Sequence, residues 1–191
     1  MNIDLLRDQY CIETKKGIGF ILSATIFWVL MVPVVFFENS ILRIICYFAG
    51  GACIFPLGLL ISKLLKALDY SDKSLGALGM ILNAVQFLYF PIVWGAIFYQ
   101  IEALPWFLAV ISGAHLLSFG WLYRSKTYVI SAIVISIGSA VIGIRFLSNT
   151  YLYIPIFQAV LFLVTSAFLG LELKKLKMNY SKQEQESLLR N

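Results

Sequence analysis

The chain has 191 residues, of which 60% are hydrophobic and only 13% charged, against roughly 25% charged in soluble domains. The apolar residues gather in blocks of about 20, enough to cross a hydrocarbon core of about 30 Å as helix, which excludes a water-soluble globular domain. The formal charge of +5 lies beside those blocks, where Lys and Arg act as topology determinants. The expected partner is therefore the lipid bilayer and not nucleic acid.

Residues 1–16, "MNIDLLRDQYCIETKK", form a cytoplasmic lead-in. It is either amphipathic, with Ile3, Leu5, Leu6 and Tyr10 near one helical stripe along the headgroups, or simply solvated. The first span is Gly17–Phe37, stopped by Glu38-Asn39-Ser40. Its apolar run exceeds the about 7 to 15 residues of a signal-peptide core, so it is expected to remain as an anchor. Further spans are read at 41–65, 75–99, 105–123, 128–147 and 151–171. The fold class is thus all-α: an integral membrane bundle of six transmembrane helices arranged as three hairpins. The transmembrane domain covers 17–173, and 174–191 is a basic, polar cytoplasmic tail that prolongs the sixth helix.

Orientation follows from charge. With the amino terminus cytoplasmic, the inner side receives Arg7, Lys15, Lys16, Lys63, Lys66, Lys73, Arg124, Lys126, Lys174, Lys175, Lys177, Lys182 and Arg190. Of the 15 Lys and Arg, only Arg43 and Arg145 then fall outside, near helix ends from which they can snorkel. The expected location is a cell membrane, multi-pass, with both termini cytoplasmic. Tyr99, Trp106, Tyr151 and Tyr153 mark the outer interface, and Trp121, Tyr123 and Tyr128 the inner one. At the outer rim Glu38, Arg43, Glu102 and Arg145 offer two readings, ion pairs or turn anchors; a solvated pair is worth only about 0–1 kcal/mol.

Lipid supplies no hydrophobic drive between apolar helices, so close contact needs small residues or interhelical hydrogen bonds. The fifth span carries Ala132, Ser136 and Ala140, with Ser139 and Gly143 on an adjoining face, and is expected at the bundle centre. The second carries Gly50 and Gly51 with Pro56 beyond, read as tight packing or as a broken helix lining a ligand site. Pro33, Pro91 and Pro155 should kink their helices, whereas Pro105 suits a first turn. Cys11, Cys46 and Cys53 make no disulfide framework.

Polar side chains recur at one depth. His115, the single histidine, lies near the centre of the fourth span with Ser112 one turn away. Asn83 and Gln86 lie near the centre of the third, and Gln158 near that of the sixth. Exposure to lipid would cost several kcal/mol each, so these groups should face inward, as a ligand pocket or as interhelical hydrogen bonds. A lone histidine rules out bis-histidine haem ligation and polyhistidine metal centres within one chain. No Walker loop, dinucleotide fingerprint or complete nucleophilic set is present. No metal, cofactor or catalytic residue is therefore expected, and an enzyme is the less favoured class.

The stretches "RDQYCIETKKGIGFILSATIFW" and "AHLLSFGWLYRSKTYV" together resemble a family of small bacterial six-helix membrane proteins of unknown function. The resemblance covers most of the chain and implies a bacterial plasma-membrane setting. Two functions are carried forward. One is binding or transport of a small solute or proton through a pocket built on His115, Asn83, Gln86, Gln158 and Ser112. The other is a non-transporting partner that docks to another membrane protein through the Ala132, Ser136 and Ala140 face.

Overall fold

The computed structural model describes residues 3–67 and 70–189 and is all-α. Arg190 lies outside the described residues, as do the side chains of Tyr99 and Lys182. A short helix α1, Ile3–Glu13, precedes α2, Ile18–Met31. The third helix α3 is Ser40–Leu64, α4 is Lys73–Ala84 and α5 is Phe90–Tyr99. Helices α6, Ala103–Leu122, α7, Lys126–Arg145, and α8, Thr150–Leu189, complete the chain. Six segments are long and apolar enough to cross a membrane: Lys15–Phe36, Ser40–Leu64, Lys73–Gly95, Ala103–Leu122, Lys126–Arg145 and Leu147–Ser181. They coincide with the six hydropathy blocks to within a few residues at most ends, and the last runs on into the polar tail.

Caps and prolines shape these helices locally. Asn39 caps α3 by accepting from the N–H groups of Ile41 and Leu42, and Asp72 caps α4 through Ser74 and Leu75. Pro33 and Pro91 each remove the amide that the carbonyl four residues earlier would have used. In both places the chain tightens to a 3-10 turn, Val32–Phe36 and Val85–Tyr89. The N–H of Val32 then reaches the Val29 carbonyl, and the N–H of Phe90 reaches the Phe87 carbonyl, so the orphaned acceptors are satisfied inside the span. The third span is accordingly α4 and α5 joined through a 3-10 segment near its middle. Pro56 and Pro155 lie inside continuous helices.

The bundle is uneven. Helices α2, α6 and α8 are the most buried, and α3 and the third span the least. Close packing is strongest between α6 and α7, where a Cβ on Gly113 would lie 2.7 Å from the Ser136 amide nitrogen and 2.6 Å from the Ile135 side chain. The Ser136 hydroxyl donates to the Val110 carbonyl at 3.4 Å, Ala132 is buried and Ala140 is half-buried. Gly143 admits the indole of Trp106.

The small residues of α7 thus pack as a wall on α6 and α8, and α7 is not the bundle centre that their spacing suggested. Small residues set how near two helices come, not how many neighbours a helix has. Its other face carries Ile130, Ile133, Ile137 and Ile144, all exposed. Gly50 seats Phe27 and Met31, whereas a Cβ on Gly51 would meet nothing within 4 Å, so of the two only Gly50 serves packing.

Gly113→Leu should therefore force α6 off the α7 backbone and lower stability by about 1–3 kcal/mol or more, as overpacking does. Gly51→Ala should be neutral to stabilising by up to about 1 kcal/mol through helix propensity. Thermal unfolding of the two variants in one detergent separates these outcomes.

Candidate functional site

A space of about 340 Å³ lies between α2, α3, the third span and α6. Its walls are mainly aromatic and aliphatic, among them Phe20, Phe27, Trp28, Phe48 and Phe119. Four polar side chains anticipated from depth line it together: His115 and Ser112 from α6, Asn83 from α4, and Gln86 from the 3-10 segment. Two of them are tied to their own helix: Ser112 donates to the Leu108 carbonyl at 2.7 Å and Asn83 to the Gly79 carbonyl at 2.9 Å. The imidazole of His115 meets Phe119 edge-on, with ring centroids 4.9 Å apart. Neither His115 nor the Gln86 amide has a hydrogen-bond partner among the described residues. Among the described residues no Asp, Glu, Lys or Arg lines the cavity.

Gln158 does not line this space. Fully buried on α8, it donates through Nε2 to the Ser139 hydroxyl of α7 at 2.8 Å. Ser131 and Thr165 form a second bond between the same helices, 2.7 Å long. The polar layer therefore divides. Between α7 and α8 it is interhelical hydrogen bonding, and between α4 and α6 it faces open volume. Depth along a helix was readable from the sequence, but the side of the bundle was not.

A second space of about 210 Å³ adjoins the first and shares Gly17, Phe20, Phe55, Met80, Asn83 and Tyr123 with it. It reaches the end of the bundle covered by α1, where Tyr10, Thr14 and Tyr70 close it. Tyr10 stacks on Tyr123, centroids 6.0 Å apart, and meets Tyr70 edge-on at 5.5 Å.

Helix α1 is folded onto the bundle. Tyr10 and Cys11 are buried, whereas Ile3 and Leu5 are exposed. Arg7 stacks over Trp121 at 4.3 Å and donates to its carbonyl. Arg124 pairs with Asp8 at 3.0 Å, and Glu13 accepts from the Ser71 amide at 2.9 Å.

The turn from α1 into α2 is left-handed over Lys15, Lys16 and Gly17, with φ of 51°, 52° and 67°. A left-handed lysine is costly by about 1–2 kcal/mol, and polar contacts hold these two. Lys15 donates to the Leu65 carbonyl. The buried Lys16 ammonium donates to the Tyr123 carbonyl at 2.8 Å and pairs with Glu172 at 3.3 Å. Glu172 also accepts from Ser125 Oγ at 2.6 Å, Thr127 Oγ1 at 2.7 Å and the Thr127 amide at 3.1 Å. The Tyr128 hydroxyl donates to the Lys16 carbonyl at 2.8 Å. This cluster was missed by a reading that treated Lys16 only as an orientation charge; a single Glu in an otherwise apolar-to-basic helix end was the available signal.

At the opposite end Arg43 donates to the carbonyls of Phe37 at 2.6 Å and Val35 at 3.1 Å, and its guanidinium lies 4.9 Å from the centre of the Tyr151 ring. Among the described residues Glu38, Glu102 and Arg145 enter no ion pair. Of the four rim charges Arg43 is thus the one that anchors a turn, because a guanidinium beside free carbonyls gains more there than from a solvated acid. Among the described residues no three His, Cys, Asp or Glu side chains converge as a metal site would need.

These features define the class: a multi-pass helical membrane protein whose spans enclose a largely apolar cavity with a few uncharged polar groups. Residues 3–172 match a family of unknown function, DUF7010, and the chain belongs to that family. No curated protein matches the chain, and no solved structure does.

Burial pushes the Cys11 thiol up to about 11, only partly offset by the Lys16 charge, and the thiol donates to the Tyr123 carbonyl at 3.2 Å. Its thiolate fraction below pH 9 should be about 100-fold under that of an ordinary thiol, since two pKa units separate them. In a Cys46→Ala/Cys53→Ala background, maleimide labelling should be slow at pH 7, accelerate with pH until about 11, and become fast on unfolding.

Proposed function

We propose that the protein binds, and in doing so moves, a small solute through the cavity between α2, α3, the third span and α6. The observation that carries this reading is the meeting of His115, Ser112, Asn83 and Gln86 on one space of about 340 Å³, a volume within the usual range of ligand sites. Unpartnered polar groups on an apolar wall are the ordinary composition of such a site, a few hydrogen-bonding groups giving orientation within a hydrophobic pocket. A proton alone is the weaker cargo. Among the described residues no carboxylate lines the cavity to pass a proton on. Docking to a second membrane protein through Ala132 and Ser136 has less support, because Ser136 packs against α6 within the chain and Ala132 is buried.

Purified protein in liposomes, screened against a panel of uncharged solutes, should show saturable binding or uptake. His115→Ala and Gln86→Ala should each weaken it by about 10-fold or more, the value of a hydrogen bond of about 1.4 kcal/mol. Identical behaviour of wild type and both variants towards every solute would remove the reading.

The orientation we infer is three hairpins entering from the cytoplasm, with both termini inside a bacterial plasma membrane, supported by the Lys and Arg imbalance. A reporter on the carboxyl terminus should be active only in its cytoplasmic form; activity restricted to the exterior would invert the arrangement.

A further inference from the structure

Resting on that reading, we propose that the occupant is a bilayer-dissolved lipophile carrying one uncharged hydrogen-bonding group, and that it enters sideways between α3 and the third span. Four residues that line the cavity are also open to the surroundings of the bundle: Phe55 is 39% exposed, Met80 61%, Phe87 64% and Tyr89 37%. The wall at that place is therefore incomplete, and each of the four is on α3 or the third span. These are the two least buried spans. They touch through Phe48, which stacks with Phe90 at 5.8 Å and with Trp94 at 5.0 Å.

The route along the bundle axis is different. It is covered at the α1 end by Tyr10, whose ring meets both Tyr70 and Tyr123, and by the folded-back helix that carries it. A solute from water would have to displace that cap, whereas a molecule in the acyl chains has only to separate a pair of loosely packed helices. The chemistry of the wall agrees. A charged ligand would find no counter-charge in the cavity and would carry a large desolvation cost. An apolar body can pack on Phe20, Phe27 and Phe119, while a carbonyl or hydroxyl reaches the unpartnered His115 or Gln86. Both groups lie near the middle of their spans, where a phospholipid headgroup does not go.

The test uses Trp28, which lines the cavity yet is only 1% exposed. The full chain is reconstituted in phosphatidylcholine vesicles whose acyl chains are brominated near their middle. The Trp28 signal is read in a protein with Trp94, Trp106 and Trp121 changed to Phe, or as wild type minus Trp28→Phe should that variant not fold. Brominated chains should quench Trp28 nearly as well as the half-exposed Trp94, read as wild type minus Trp94→Phe; acrylamide should leave Trp28 unchanged, and Gly51→Leu, which fills the space, should abolish its lipid quenching. Adding a long-chain alcohol should compete with that quenching in wild type and about 10-fold less well in His115→Ala. Quenching by acrylamide but not by brominated chains would show a site open to water and overturn the lateral route while leaving solute binding standing. Absence of quenching by either would show a closed void and overturn it as well. Lipid quenching that persists unaltered in Gly51→Leu, or alcohol competition equal in wild type and His115→Ala, would overturn the assigned occupant.

Discussion

Hydrocarbon neither hydrogen-bonds a free dipole nor drives one apolar helix onto another, and the whole architecture depends on how that constraint is met. Where backbones come close, glycine or serine lies at the contact, as at Gly113 against Ser136 and Gly143 under Trp106. Between α7 and α8, buried polar side chains bond across the contact, as the Gln158 Nε2 does to Ser139 and Ser131 does with Thr165. Helices α6, α7 and α8 satisfy both conditions, with α2 packed along α8. On α3, Gly50 and Gly58 seat aromatic side chains of α2 and Ser62 packs on Gly19, while Ile41, Ile45, Leu60 and Leu64 are exposed. The third span packs on α6 with little else. α3 is thus held by α2 and the third span by α6, while the two have little contact with each other, and the cavity lies at that seam.

The Lys16–Glu172 cluster fastens the other end. Its two charges are unequally buried, Lys16 4% exposed and Glu172 29%, and a pair of this kind contributes less through net attraction than through the cost of leaving one member alone. What it secures is geometry. Glu172 gathers α8, the α6–α7 connection and the turn before α2 by accepting from Ser125, Thr127 and Lys16 together. A left-handed pair of lysines would unwind without such anchors. With them, the chain reverses sharply enough for α1 to fold back over the bundle.

Much of this was legible in the sequence, and the reason is one-dimensional. Span positions are functions of position along the chain, so hydropathy blocks sufficed for the six helices, while His115, Ser112, Asn83 and Gln86 line one cavity. What required the structure was azimuth. Gln158 shares the depth of those groups but points toward α7, and Ala132, Ser136 and Ala140 mark a close contact without saying with which helix. The amphipathic stripe of α1 was likewise visible, but of it Tyr10 is buried while Ile3 and Leu5 are exposed, and Arg7 and Cys11, off that stripe, add contacts that hold α1 down. The Lys-Lys-Gly junction belonged to a recognisable pattern, yet its left-handed turn follows from contacts with residues more than 100 positions away.

The seam itself traces to a single residue type in a particular place. Pro91 removes one amide from the third span, and the chain answers by tightening into a 3-10 turn that gives the Phe87 carbonyl to Phe90. A 3-10 segment has three residues per turn instead of 3.6, so side chains on its two sides no longer continue the stripe that α4 presents to α6. Gln86 falls inside the tightened segment and Asn83 just before it, which puts one amide on each side of the change in pitch, both bordering the cavity. A straight α-helix over the same residues would keep one continuous packing stripe. The backbone repair that proline demands thus also loosens the third span and exposes polar side chains to the open volume beside His115.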